Sequence, residues 1–217
     1  SSRYGLAKMQ SNLATGRAAT AIAERAKNIG ASLAVIGIRG EGVVHELALG
    51  GTAVKLLRRS PCPVLVVRQK STLPYRRIAI ATDFSATATR GLHTALTMFP
   101  EAEHVAIHAC RVPHEGRMRM IGASPDEIER YRADELASAQ REMDSYLEHV
   151  DRTAACGISR VIRHGYPTAV LLDELHRTPF DLLVLGRHGQ SVLDEQLLGS
   201  VSLNLVHHAL CDVLLIP

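Results

Sequence analysis

The sequence has no tryptophan, few other aromatic residues and no long apolar run. Aromatic residues make up 4% of the 217 residues, too few for the base-stacking platforms that bind single-stranded nucleic acids. The apolar stretch at 201–217 is interrupted by polar residues, and nothing approaches the ~20 apolar residues of a membrane-spanning helix. We therefore expect neither a nucleic-acid partner nor a membrane partner. The absence of a secretory leader pattern favours the cytoplasm.

Cysteine is also scarce. The four cysteines are too far apart for CxxC pairs and too few for a disulfide framework in a chain of this length: Cys62, Cys110, Cys156 and Cys211. We expect free thiols in a reducing compartment.

The net charge of +3 conceals an uneven distribution. Residues 1–76 carry 12 Lys and Arg against 3 Asp and Glu, whereas residues 77–217 carry 13 against 19. The basic segment fits a nucleic-acid surface or, equally well, a solvated face that docks against the acidic segment. Charge alone does not decide between them.

The chain contains an internal repeat. The segment from Gly16 aligns without gaps with the segment from Gly165. Identical pairs, four of them glycine, include Gly16/Gly165, Leu33/Leu182, Val35/Val184, Gly37/Gly186, Gly40/Gly189, Glu46/Glu195, Leu49/Leu198, Gly50/Gly199, Cys62/Cys211 and Val64/Val213. Matched glycines at a constant offset indicate two copies of one structural unit.

The second copy alternates strands with helices. Short apolar runs predict strands at 77–82, 105–110, 159–163, 181–185 and 213–216. Helices are expected at 85–99, 124–149, 167–177 and 200–210, with Ser85 as an N-cap and a capping box at Ser124. This alternation predicts an α/β fold with a parallel sheet covered by helices on both faces.

The first copy has only the rear half of this pattern, with strands expected at 10–14, 33–36 and 64–67 and helices at 18–29 and 52–59. We therefore divide the chain into the rear half of a first domain (1–70), a linker (71–76) and a complete second domain (77–217). The strands that should form the centre of the first sheet have no counterpart in this sequence, which would leave strand edges unpaired.

A glycine pattern follows the fourth strand of the second copy. Gly186 and Gly189 precede Gly199 and Ser200, which open a helix. Glycines let backbone N–H groups approach a phosphate, and a helix start offers unpaired N–H groups to it. Asp83 ends the first strand and should reach the same crevice, because ligands of parallel sheets bind beyond the carboxyl ends of the strands. A tight turn and a simple helix cap are the alternative interpretation of each motif taken alone.

The spacing Gly186-x2-Gly189-x9-Gly199-Ser200 resembles the nucleotide motif of universal stress proteins. The first strand ending in Asp83, the second-strand end at 108–109 and the closing segment 211–217 resemble that family as well. The first copy has a degenerate form of the motif, in which a glycine replaces Ser or Thr: Gly37, Gly40, Gly50, Gly51 and Thr52. The resemblance implies a duplicated five-stranded sheet of order 3-2-1-4-5, with the first copy incomplete.

The resemblance also implies ATP, with Mg²⁺ as an optional companion, bound in the second copy alone. The adenine and ribose would lie near Ala81, Thr82, Asp83, Ala109, Leu185 and Gly186. The ribose and phosphates would lie near His188, Gly189, Gly199, Ser200, Val201 and Ser202. Asp194 and Glu195 are candidates for holding Mg²⁺ through the nucleotide.

Three functions from different classes fit these residues. The leading one is an ATP-binding stress-response protein that acts as a nucleotide-dependent regulatory or binding module. The alternatives are a scaffold of the same fold that acts by protein contacts without nucleotide, and a slow ATPase. No nucleophile–base pair is evident in the sequence, so enzymatic activity is not expected beyond slow ATP hydrolysis.

Each copy ends in an apolar strand that should lie at a sheet edge. Such edges pair readily with other strands. We expect the two closing strands, at 64–67 and 213–216, to pair antiparallel as an intramolecular pseudo-dimer, and we expect the whole chain to form a homodimer.

Overall fold

The computed structural model describes residues 10–38, 49–68, 74–150, 157–189 and 198–217. The first copy contributes α1 (Ala18–Asn28), β1 (Ala34–Gly37), α2 (Gly51–Arg59) and β2 (Val64–Val67). The second copy contributes β3 (Arg77–Ala81), α3 (Ala86–Met98), β4 (Glu103–Cys110), α4 (Glu115–Met120), α5 (Pro125–Val150), β5 (Ser159–His164), α6 (Pro167–Arg177), β6 (Leu182–Gly186), α7 (Ser200–His208) and β7 (Asp212–Ile216).

The described strands form one sheet of order β1-β2-β7-β6-β3-β4-β5. Neighbouring strands are parallel except β2 and β7, which run antiparallel. The predicted α/β class is thus confirmed, and the second copy has its strands in the predicted 3-2-1-4-5 order. The sheet has seven strands rather than five, because β2 extends the second copy's sheet through β7 and brings β1 with it.

Local signals explain the starts of α3, α5 and α6. The Ser85 side chain accepts a hydrogen bond from the Ala88 N–H and caps α3. Ser124 and Glu127 form the predicted capping box at α5, in which each residue bonds the backbone N–H of the other. These bonds from Ser124 lower the pKa of the Glu127 carboxyl. α6 begins at Pro167, whose fixed φ suits a first helical turn.

One predicted strand is absent and one helix was not predicted. Residues 10–15 form no strand, and Leu13 is fully exposed. Their counterpart β5 forms its ladder with β4, and the sequence holds no first-copy equivalent of β4, so residues 10–14 lack a partner strand. The short α4 has no apolar periodicity that would have predicted it. Residues 71–73 of the predicted linker lie outside the described residues.

The sheet has an apolar core on each face. One face packs residues of α2, α6 and α7 against the sheet, including Leu57, Leu171 and Leu205. The other packs α3 and α5, including Leu92, Met143 and Leu147. Burying one such side chain contributes about 1.5–3 kcal/mol, so these two layers fix the positions of the strand ends.

The seam between the copies is the β2–β7 ladder, in which Val64, Leu65 and Val66 face Leu215, Leu214 and Val213. Two arginines stand at its ends. The Arg68 guanidinium donates to the Val206 carbonyl in α7, and its backbone N–H donates to Asp212 Oδ1 at 2.7 Å. The Arg187 guanidinium donates to the Arg58 and Ser60 carbonyls at the end of α2. Each copy therefore places a cation at the C-terminal end of the other copy's last helix, where the helix dipole favours it.

Tyr75 joins the start of the second copy to the same seam. Its hydroxyl donates to Asp212 Oδ2 at 2.7 Å, and the buried Asp212 opens β7. Burial and this hydrogen bond raise the pKa of Tyr75 well above its ordinary value. The thiols of Cys62, Cys110 and Cys211 are free and buried, as expected, whereas Cys156 lies outside the described residues.

Candidate functional site

The carboxyl ends of β3, β4 and β6 meet at one edge of the sheet. β3 pairs with β4 through Ala81 and Ile107 and with β6 through Ile80 and Val184. From β3 the chain goes first to β4 on one side and later to β6 on the other. Strand order thus reverses at β3, which makes this edge a switch point of the kind at which open α/β sheets bind ligands.

Asp83 follows β3 and lies against the glycine loop after β6. Its Oδ1 accepts a hydrogen bond from the Ser85 N–H at 3.1 Å, which orients the carboxylate. A Cβ atom on Gly189 would lie 2.4 Å from Asp83 Oδ2, far inside van der Waals contact. The structure thus brings together two residues that the sequence predicts to share a site, and the contact requires glycine at 189.

Three hydrogen bonds hold the glycine loop, and one of its glycines packs closely against α3. A Cβ on Gly186 would lie 2.7 Å from Thr87 Cγ2 in α3. Ser202 Oγ donates to the Gly186 carbonyl at 2.8 Å, and the Gly199 N–H donates to the Arg187 carbonyl at 2.8 Å. The Arg187 N–H donates to the Ile216 carbonyl at 2.7 Å. The end of β6, the start of α7 and β7 are therefore one connected unit.

The start of α7 carries no side-chain cap and no acidic residue in its first turn. Gly199 is the N-cap residue, and Ser200 behind it is exposed. The first N–H groups of a helix lack intrahelical partners, and the dipole makes this end positive. Such an end suits an anion.

Two residues, Phe84 and His108, support Asp83 and were not assigned to the site from the sequence. Phe84 has a φ of +63°, a conformation that bulky side chains rarely adopt. Its ring stacks on His108 with centroids 4.4 Å apart. His108 Nδ1 lies 2.9 Å from the Thr82 carbonyl, and because a carbonyl only accepts, Nδ1 is the donor. No local sequence signal gives this arrangement, since it depends on how β3 and β4 pair.

The remaining predicted residues fall into three groups. Ala81 and Ala109 are half-buried near the ends of adjacent strands β3 and β4, while Thr82 and Leu185 are buried. Val201 is half-buried in the first turn of α7. His188 Nδ1 is enclosed and has no hydrogen-bond partner among the residues described here; such an atom is a natural contact for a bound ligand.

The degenerate motif of the first copy is more open. Gly37 ends β1 and Gly50 precedes α2, whereas Gly40 lies outside the described residues. A Cβ on Gly50 or Gly51 would meet nothing within 4 Å, and Thr52 is exposed. In the described part of the chain, β1 has β2 as its one neighbouring strand, so no carboxylate stands where Asp83 stands in the second copy.

Comparison with known proteins agrees with this architecture. A family model described as "Universal stress protein family" matches residues 3–68 and 74–217. The chain belongs to the universal stress protein family.

Curated universal stress proteins are similar over most of the chain. One from Mycobacterium bovis is 26% identical over 202 residues, which cover 85% of this chain. The match covers 61% of that relative's length, so the chain spans less than two thirds of it. A universal stress protein from Thermus aquaticus is 42% identical over 64 residues, 30% of this chain and 47% of its own.

Solved universal stress protein structures share the fold. One from Archaeoglobus fulgidus has a TM-score of 0.63 at 19% identity, covering 91% of this chain and 66% of that one. UspA from Lactobacillus plantarum has a TM-score of 0.55 at 23% identity, covering 67% of this chain and all of that one. The family's α/β architecture is thus present here.

Within the described ranges, no three His, Cys, Asp or Glu side chains come together as a metal site; the predicted Mg²⁺ candidates Asp194 and Glu195 lie outside those ranges. None of the described helices combines the length and apolar character needed to cross a membrane.

Proposed function

We propose that this chain binds ATP in its second copy and serves as a nucleotide-dependent regulatory or binding module of the cytoplasm. The contact between Asp83 and Gly189 carries the proposal. It sets a carboxylate, a glycine loop and the uncapped start of α7 side by side at a switch point of the sheet. Membership of the universal stress protein family is consistent with it.

Charge decides the orientation of the nucleotide in this proposal. A phosphate beside the Asp83 carboxylate would be repelled, whereas the start of α7 is positive. The phosphates therefore lie along Gly189, Gly199 and Ser200. Asp83 accepts hydrogen bonds from the ribose hydroxyls or the adenine amino group, between the strand ends that carry Ala81 and Ala109.

The structure refines the roles of two serines in this proposal. Ser200 is exposed in the first turn of α7 and can offer its hydroxyl to a phosphate. Ser202 is buried and already donates to the Gly186 carbonyl, so it holds the loop rather than the ligand. Mg²⁺, where it accompanies ATP, would be held through the phosphates and would neutralise part of their charge.

We extend the proposal to assembly. The β2–β7 ladder is the core of an intramolecular pseudo-dimer of the two copies, and the whole chain forms a homodimer. In this ladder β7 is buried along its whole length, and Val64 and Val66 of β2 are buried as well. The homodimer is tested by light scattering, which should give the mass of two chains.

Two equivalent glycines provide the test of ATP binding. A Cβ atom on Gly199 would lie 3.3 Å from the Arg187 carbonyl oxygen, whereas a Cβ on its counterpart Gly50 would meet nothing within 4 Å. We expect Gly199→Val to weaken ATP binding about ten-fold or more in calorimetric titration, because the branched side chain displaces the loop; this corresponds to about 1.4 kcal/mol. Gly50→Val should bind as the wild type does.

Two results would contradict the proposal or part of it. A wild-type protein that releases no nucleotide on denaturation and gives no heat with ATP does not have this function. Undiminished ATP affinity in Gly199→Val would remove the glycine loop from the site.

A further inference from the structure

Arg187 connects the glycine loop of the second copy to the first copy. It stands between Gly186 and His188 and is 9% exposed. Its Nη1 donates to the Arg58 carbonyl at 2.8 Å and its Nη2 to the Ser60 carbonyl at 3.2 Å. Both carbonyls belong to the C-terminal end of α2, so a loop assigned to nucleotide is bonded to the other copy's helix.

The backbone of the same residue holds the start of α7. The Arg187 carbonyl accepts the Gly199 N–H at 2.8 Å, and the Arg187 N–H donates to the Ile216 carbonyl at 2.7 Å. A shift of the Arg187 backbone therefore moves the N-cap of α7. Because the side chain is anchored on α2, the position of this backbone depends on the first copy.

The hydrogen bonds from the Arg187 guanidinium to the end of α2 are strong for a contact between the two copies. A charged guanidinium makes shorter and stronger hydrogen bonds than a neutral donor. The carbonyls at the end of α2 carry the negative end of its dipole, which favours a cation there. Losing these acceptors would be costly for a buried guanidinium, so displacement of the loop away from α2 is disfavoured.

Among the described residues, the equivalent positions of the first copy make no such connection. By the repeat offset, the residue equivalent to Arg187 in the first copy is Ile38, which is buried in the apolar core with Leu57. Arg68 is the other seam arginine, and it reaches the Val206 carbonyl near the end of α7. Neither residue ties the first copy's glycines to the second copy.

We propose that Arg187 is a positioning residue that makes nucleotide binding in the second copy depend on its contact with α2 of the first copy. The inference rests on the proposed ATP site. Since coupling between two sites is reciprocal in free energy, ATP binding also stabilises the end of α2. The seam between the copies is then the part of the molecule that responds to nucleotide.

Three variants separate this role from general stability. Arg187→Met removes the guanidinium and keeps an unbranched apolar chain, and Arg187→Lys keeps the charge. Arg68→Met removes the other seam guanidinium without touching the glycine loop. All three are prepared as the full chain, and ATP affinity is measured by calorimetric titration.

We expect Arg187→Met to weaken ATP binding about ten-fold, the effect of losing one charge-assisted hydrogen bond. Arg187→Lys should recover part of that loss, whereas Arg68→Met should stay within about two-fold of the wild type because it leaves the loop intact. Hydrogen exchange gives a second readout. ATP should slow exchange of the Ser60 amide, which closes α2 on the Leu56 carbonyl at 2.8 Å, in the wild type and Arg68→Met but not in Arg187→Met.

The outcomes distinguish this inference from the ATP proposal. A wild type that does not bind ATP overturns both. A wild type that binds ATP, with equal affinity in Arg187→Met and no ATP-dependent change at Ser60, overturns the linkage and leaves the ATP site standing. Equal weakening in Arg187→Met and Arg68→Met would also overturn it, because the effect would then reflect a looser seam rather than the loop.

Discussion

The two copies place the same residue in two different environments. Val35 in β1 and Val184 in β6 are equivalent by the repeat offset, and both sit in a strand that leads to a glycine. Val35 is 59% exposed, whereas Val184 is fully buried. β6 lies between β3 and β7 and is covered by α3, whereas β1 pairs with β2 alone in the described sheet. Similar local sequence thus gives a strand in both copies, and neighbouring elements decide what each strand buries.

The same contrast applies to the glycines. Gly50 and Gly199 both precede the last helix of their copy, yet only Gly199 is packed against another loop. The difference comes from the backbone at Arg187 and His188, which lies against Gly199. Gly189 in turn lies against Asp83, which follows β3. A binding motif in this fold therefore depends on strands that lie elsewhere in the chain.

The largest effect is expected from placing a charge at each of the two equivalent valines. Val184→Asp should lower the free energy of unfolding by about 4 kcal/mol or more, because it buries a carboxylate among apolar side chains. Val35→Asp should cost less than about 1 kcal/mol, since the new charge stays in water. Urea denaturation of both variants measures the difference. Equal losses would mean that β1 is covered as fully as β6.

The next effect concerns the close contact between Gly189 and Asp83. Gly189→Ala places a Cβ against the Asp83 carboxylate, so the hydrogen bonds that Asp83 accepts from ATP should be lost. We expect binding to weaken about ten- to one-hundred-fold in calorimetric titration. Asp83→Ala should have a similar effect for the same reason.

The control for this prediction is the double variant. With Asp83→Ala in place the clash disappears, so adding Gly189→Ala should cause little further loss. Additive losses would show that the two residues act on ATP independently.

The smallest effect concerns pH. His104 is buried in β4, and burial lowers the pKa of its imidazole below the ordinary value. The unfolded chain therefore binds more protons than the folded one, and stability falls as the pH drops below 6.5 towards the lowered pKa. His104→Gln cannot titrate and should reduce the slope of stability against pH between 7 and 5. An unchanged slope in thermal unfolding would assign acid sensitivity to other histidines.

Local signals in the sequence predicted the parts of the fold that local chemistry controls. The bounds of β2 and α6, the Ser85 cap and the Ser124 capping box all follow from apolar runs, proline and side-chain oxygen donors and acceptors close in sequence. The strand at 10–14 failed because its apolar residues predict a strand only where a partner strand exists, and β4 has no counterpart in the first copy. The short α4 lacks any periodicity.

The candidate site divides in the same way. The glycine spacing and the strand-end position of Asp83 were sufficient to predict that these residues meet. Arg187, Phe84 and His108 were missed, because their roles arise from contacts with other elements. A buried arginine in a glycine loop carries no sequence signal that distinguishes it from a solvated one.

The seam also has a consequence for how the chain folds. β2 and β7 are joined side by side although their segments are far apart in sequence; Arg68 and Asp212, which share a hydrogen bond, are separated by 144 residues. Such long-range pairing forms slowly, because a large loop must close before any contact rewards it. During synthesis β2 emerges long before β7, and its open edge can accept the β7 of a neighbouring chain as readily as its own. Exchange of β7 between chains is therefore the misassembly to which this topology is most exposed.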